Sequence, residues 1–252
     1  TQEARIMVTL NHPNIRKVFD MGEIDGRPCI IMEYLSGSTL KEKIEGRKRL
    51  SSERLKSYFK QCQSALIYTH SRDIIHRDIK PSNIFIDDQD RIKIVDFGIA
   101  KMKEGLSHTM TGQTLGTIMY MSPEQVKDPK RVGHKTDIYS LGISFYHALR
   151  GKMPYDKSTD SEFSIQQKIV YDPVDMSKMD KAWQGVLSGC LVKEPDQRLE
   201  LKDIDFGKTP KVSSSIKDKL RVVDDETILT GQGVKSGAGV VIEGKKTNPK
   251  WP

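Results

Sequence analysis

Cysteine is scarce in this chain: Cys29, Cys62 and Cys190 are spread over 252 positions with no CxxC spacing. That excludes a disulfide framework and a zinc knuckle, and it predicts reduced, packed thiols of a cytoplasmic protein. Long apolar runs are missing as well. None approaches the roughly 20 residues of a membrane helix, and no signal peptide is visible. Residues 1–252 therefore carry no membrane segment, and any membrane attachment is left to a segment not present here. There is no initiating methionine either; the chain opens on Thr1 in helical pattern and reads as truncated. Acidic excess is absent, the net charge being +7, but the stretch from Lys208 onward holds nine Lys/Arg against five Asp/Glu, +4 of that total. A solvated tail accounts for the basic balance better than a nucleic-acid face, so no nucleic-acid partner is predicted.

What is present suits a soluble globular protein, 36% apolar and 30% charged. A short helical piece over residues 2–10 is closed by Asn11-His12-Pro13. Two strands follow, around Ile15–Met21 and Pro28–Tyr34, joined by a turn at Asp25-Gly26. Ser36-Gly37-Ser38 reads as a loop and Leu40–Glu45 as a short helix. From Ser52 to Ser71, Leu55, Tyr58, Phe59, Cys62, Leu66 and Thr69 recur at the spacing of a buried amphipathic helix. A hairpin is predicted at Ile84–Ile86 and Arg91–Val95, then a long polar loop over residues 99–121. A second strong helix contains Asp137-Ile-Tyr-Ser-Leu-Gly-Ile. Beyond about Lys208 the chain reads as a linker or disordered extension.

The stretch HRDIKPSNIFIDDQDRIKIVDFG carries the chemistry. Its hairpin folds Asn83 and Asp96 back to the same end. Two converging oxygen donors suit Mg²⁺, which takes few protein ligands and keeps waters and phosphate oxygens for the rest. Asp78, on the preceding loop, is placed to orient a hydroxyl and accept its proton during phosphoryl transfer. Lys80 can reach the same phosphate.

His76-Arg77-Asp78-Ile79-Lys80-Pro81-Ser82-Asn83 resembles the protein-kinase catalytic loop, and Asp96-Phe97-Gly98 resembles the metal-binding motif of that family. Gly116-Thr117-Ile118-Met119-Tyr120-Met121-Ser122-Pro123-Glu124 is similar to the kinase segment that receives the substrate, with SPE where APE is common. Lys80 and Thr117 are of the serine/threonine type. Ile79, the IKIVDFGIAK run and YMSPEQ are closest to eukaryotic-like serine/threonine kinases of bacteria. The resemblance spans about residues 1–206. It implies a protein-kinase-like α+β fold, with a mainly helical large lobe over 36–206 and remnants of the β-rich small lobe over 1–35. Residues 207–252 form the tail.

The same resemblance implies ATP and Mg²⁺ as cofactors and protein Ser/Thr hydroxyls as acceptors. Asp78 would be base and orienter, Lys80 a phosphate contact, and Asn83 and Asp96 the metal ligands. Met32 would be the gatekeeper, with the backbones of Glu33 and Leu35 on adenine. Phe85 would lie beneath the base, although a plain core position explains it equally well. Arg198 would pair with Glu124, and Asp137 would hold the catalytic-loop backbone; both are structural, since buried charges persist only when paired. Arg77 and Lys101 would face the loop His108–Thr114, where phosphorylation is expected at Thr111 and next at Thr109, by another copy of the kinase.

One departure accompanies the match. Glu3 resembles the small-lobe helix glutamate that pairs with an ATP-binding lysine, yet neither that lysine nor a glycine-rich loop occurs in residues 1–252. The reading is a fragment of an active kinase, itself of little or no activity without the lid over the phosphates. A non-catalytic kinase-like scaffold is the competing reading, and it gives no reason to keep Asp78, Asn83 and Asp96 together.

Overall fold

The computed structural model describes residues 7–46, 49–97, 115–128, 130, 132–156 and 158–207, which lie within one compact unit. Glu3, Gly98, Lys101, Thr109, Thr111 and the tail from Lys208 lie outside the described residues.

Residues 7–9 are helical, and strands β1 (Val18–Ile24) and β2 (Arg27–Met32) follow as an antiparallel pair. Asp25 and Gly26 between them both have positive φ, 50° and 73°. This is the backbone a two-residue hairpin demands, and Asp-Gly supplies it cheaply. Of the Ser36–Ser38 stretch predicted as a loop, Gly37 and Ser38 instead belong to β3 (Gly37–Thr39), which pairs with β4 (Ile84–Asp87), itself paired with β5 (Ile92–Ile94). Only glycine suits the start of β3. Gly37 has φ +139°, and a Cβ there would stand 2.1 Å from the Ile86 carbonyl oxygen.

Helix α1 (Leu40–Glu45) begins at a capping box in which the Thr39 side chain accepts from Glu42 N–H and Glu42 reaches back to Thr39 N–H. Helix α2 (Ser52–His70), capped by Ser51, buries Leu55, Tyr58, Phe59, Cys62, Ala65, Leu66 and Thr69 on one face. The predicted polar loop ends sooner than residue 121, because residues Leu115–Ile118 form a helical turn, α3, and Pro123–Lys127 form α4 on a second capping box. Helix α5 (His134–Arg150) is buried at every position from Thr136 to Tyr146, as expected of a helix that other elements cover all round. Helices α6 (Glu162–Tyr171) and α7 (Lys181–Cys190) complete the helical part.

The core centres on α2 and α5. Phe59 meets Phe145 at 5.1 Å between ring centres and Trp183 at 5.8 Å; Phe206 closes on Trp183 at 4.6 Å. Trp183 donates its indole N–H to Ser52 Oγ at 2.9 Å, so the one polar atom of that buried ring is satisfied. Cys62 and Cys190 are free and buried, and burial pushes both thiols up, Cys190 to about 12. Such thiols are inert packing groups. No described helix is long and apolar enough to cross a membrane.

Candidate active site

The site is built on the loop between α2 and β4. Asp137, fully buried in the first turn of α5, accepts from the backbone N–H of His76 (2.9 Å) and of Arg77 (2.8 Å). Its Oδ2 also meets His70 Nε2 at 2.8 Å. Burial works to raise the Asp137 pKa, but His70, His76 and the His76 N–H outweigh it and hold the carboxyl below the usual range. One ionised carboxylate thus fixes the backbone that leads into Asp78. His70 was not singled out by sequence, since a histidine in the last turn of a helix is ordinary there.

That backbone is strained where it turns. Arg77 (φ 64°) and Asp96 (φ 54°) both occupy the left-handed region, sparsely used by residues other than glycine. Between them His76 is fully buried; its Nε2 bonds the Val95 carbonyl at 3.0 Å and its ring packs on Phe97 at 4.5 Å. Burial depresses the His76 pKa, and with Nδ1 accepting from Asp78 N–H at 3.2 Å the ring couples the two strained positions as a structural bridge. Gln125 Nε2 donates to the Arg77 carbonyl at 2.9 Å, which ties α4 to the same loop.

Asp78, Lys80 and Asn83 are in direct contact. Lys80 Nζ lies 2.9 Å from Asp78 Oδ2 and 3.5 Å from Thr117 Oγ1. Asn83 donates its amide hydrogens to the Asp78 carbonyl oxygen (2.8 Å) and to Asp78 Oδ2 (3.2 Å), while Ser82 Oγ–H reaches Asn83 Oδ1 at 3.4 Å. The hairpin returns beside them, because Val95 N–H donates to the Asn83 carbonyl at 3.0 Å. Asp96, the next residue, is exposed at that end.

Elsewhere, Met32 ends β2 half-buried, and Leu35 is half-buried three residues on. Glu33 has its backbone engaged: its N–H donates to the Lys17 carbonyl at 2.8 Å, and its C=O accepts from Arg16 Nε at 2.9 Å. Its side chain pairs with Lys93 Nζ at 2.9 Å. Phe85 faces away from the core, since its neighbours Ile84 and Ile86 are the inward residues of β4 and Phe85 is half-buried on the opposite face. Glu124 and Arg198 meet as a buried pair, both contacts 2.6 Å, with Thr136 Oγ1 donating to the same carboxylate at 2.8 Å. Thr136 was missed because nothing in a threonine beside an aspartate marks a partner twelve positions away.

Comparison with known proteins bears on this geometry. The protein kinase domain family matches residues 1–206. The chain is 31% identical over 276 residues to the serine/threonine-protein kinase PrkC of Bacillus subtilis, covering 100% of this chain and 42% of that protein. It is 35% identical over 202 residues to a probable serine/threonine-protein kinase of Clostridium acetobutylicum, 79% and 31% of the two chains. With the serine/threonine-protein kinase PknB of Mycobacterium tuberculosis the identity is 34% over 210 residues, 79% and 33%. The chain thus spans less than half the length of each of these relatives.

Proposed function

Because the chain belongs to the protein kinase family, as a serine/threonine kinase of the bacterial type, we propose that it transfers the γ-phosphate of ATP to Ser and Thr hydroxyls of protein substrates in a Mg²⁺-dependent reaction. The observation that carries this reading is the pair of hydrogen bonds from the Asn83 amide to Asp78, which ties the candidate base and a candidate metal ligand into one unit.

The donor set suits Mg²⁺. Asn83 spends its amide hydrogens on Asp78, so the oxygen of that amide is what remains for a cation, and Asp96 adds a carboxylate at the same end of the hairpin. When bound there, the metal would offset the charge of the phosphates. Asp78, positioned by Lys80 and Asn83, orients the substrate hydroxyl and takes its proton as the oxygen bonds to phosphorus. The bond from phosphorus to the bridging oxygen of ADP breaks, and ADP leaves. Lys80 reaches both Asp78 and Thr117, so it can hold the moving phosphoryl group against the substrate-receiving segment.

The test is Mg²⁺-dependent phosphate transfer by the full-length protein. Asp96→Asn should weaken metal binding and abolish turnover. Asp78→Asn should spare ATP binding and remove most of the turnover; near-normal transfer by that variant would refute the assignment.

A further inference from the structure

A cleft of about 810 Å³ runs from Lys80 and Thr117 to α1 on one side and to the end of α5 on the other. His147, near the end of α5, lines it, and its Nδ1 lies 2.8 Å from the Tyr120 hydroxyl. A phenol is a stronger acid than a neutral imidazole N–H, so the phenol donates and Nδ1 accepts. The ring proton then sits on Nε2. Protonating the ring adds a hydrogen to Nδ1 and leaves Nε2–H as it was. In both states the second nitrogen is a donor.

The charges around this donor are unequal in their commitments. Glu45 of α1, which faces His147, pairs with Lys41 at 3.8 Å. The Asp156 carboxylate is turned onto its own loop, accepting from Ser158 N–H (2.9 Å) and Oγ–H (2.6 Å). Lys80 is held by Asp78. Lys152 is exposed at the cleft within the field of Asp156, and among the described residues no ion pair engages it.

We propose that His147 is a specificity-determining residue of the peptide groove and, with Lys152, selects an acidic side chain of the substrate close to the phosphoacceptor. The proposal rests on reading Asp78 and Lys80 as the transfer centre. A carboxylate in this position accepts from Nε2–H and lies in the field of Lys152. An arginine or lysine side chain instead sets donor against donor.

The test uses the full-length protein and paired peptides that differ only in an Asp/Glu or a Lys near the target Ser/Thr. Both the transfer rate and the peptide affinity, by fluorescence anisotropy, are measured. The acidic peptide should be preferred about tenfold, the scale of one charge-assisted hydrogen bond, and mainly through affinity or KM. His147→Glu keeps an acceptor for the Tyr120 hydroxyl but replaces the groove's donor by a negative charge, so it should erase or invert the preference. Lys152→Glu, on an exposed loop, should reduce the preference even if the His147 variant fails to fold. Equal handling of the two peptides, binding of neither, or a preference untouched by Lys152→Glu overturns the proposal. An acidic preference in affinity with no transfer to any peptide supports the subsite and counts against the transfer reading alone.

Discussion

Arg198 directs every one of its five N–H donors to an acceptor, and two of the five go to the carboxylate of Glu124. The other three reach the carbonyls of Val192, Lys135 and Lys193, so one guanidinium ties the substrate-side segment to α5 and to the loop that follows α7. Burial alone would raise the Glu124 pKa, but Arg198 outweighs it and holds the carboxyl low. Replacing Arg198 by Leu strands a buried carboxylate and should cost about 3–5 kcal/mol in urea unfolding. Arg198→Lys should recover only part of that, because an ammonium cannot match the planar fork.

The same pair sets an acid limb. A carboxyl whose folded pKa is depressed adds stability that is fully present above its unfolded value, about 4.3, and is lost as pH falls through the folded value. Stability of the native protein should therefore decline below about pH 4.3. Glu124→Gln should be less stable at neutral pH and show a shallower decline in that acid window. Parallel curves for the two proteins, measured by urea unfolding at a series of pH values, would remove Glu124 from the acid limb.

Asp137 offers a prediction that separates charge from shape. In Asp137→Asn one oxygen becomes an N–H₂ group, which cannot accept from the His76 and Arg77 amides or from His70. At least one buried donor is left unmade, at a cost of about 1–3 kcal/mol. Because those amides lead directly into Asp78, kcat should fall with little change in KM for ATP. A variant with wild-type stability and wild-type kcat would show that the loop is held by other contacts.

The regulatory expectation turns on Arg77. Its Nε is buried and has no hydrogen-bond partner among the described residues, while its backbone is fixed by Asp137 and Gln125. A phosphate brings about −1.5 to −2 charge and acceptors for such a group. We propose that Thr111, and next Thr109, are phosphorylated by another copy of the chain, with Arg77 as a partner. Mass spectrometry of active protein should find phosphate on Thr111 or Thr109, and Arg77→Ala should lower activity in the phosphorylated form far more than in the unmodified one. Fully active protein with residues 108–114 unmodified would count heavily against the switch.

How far all this was legible depends on distance along the chain. Helix α1 and the stripe of α2 were readable because their apolar spacing and caps are local. Strand β3 was not, because Gly37-Ser38-Thr39 has no strand pattern of its own and extends only by pairing with β4, nearly fifty positions later. The closeness of Asp78, Lys80 and Asn83 could be anticipated because all three lie within six residues of one another, although the hydrogen bonds from Asn83 to Asp78 were not foreseen. His70 and Thr136 were not, since each matters only through a carboxylate brought to it by the packing of another element. The register of the β4–β5 hairpin, by contrast, could be anticipated from Ile84, Ile86, Ile92 and Ile94, which must all face one side.

That alternation gives opposite signatures to neighbouring residues of β4. Ile86 is buried in the core, whereas Phe85 lies on the other face, across from Lys93 and beside Thr39. Ile86→Ala removes packed methyl groups and should cost about 2–5 kcal/mol of stability. Phe85→Ala removes a larger side chain from a half-open surface, so the cost should stay below about 1.5 kcal/mol. If that surface is the floor under the adenine, the KM for ATP should rise several-fold in Phe85→Ala while kcat at saturating ATP holds. Phe85→Leu should restore most of the affinity, since an apolar contact and not aromaticity is what the base requires. A Phe85→Ala protein with ATP affinity unchanged would remove Phe85 from the nucleotide site.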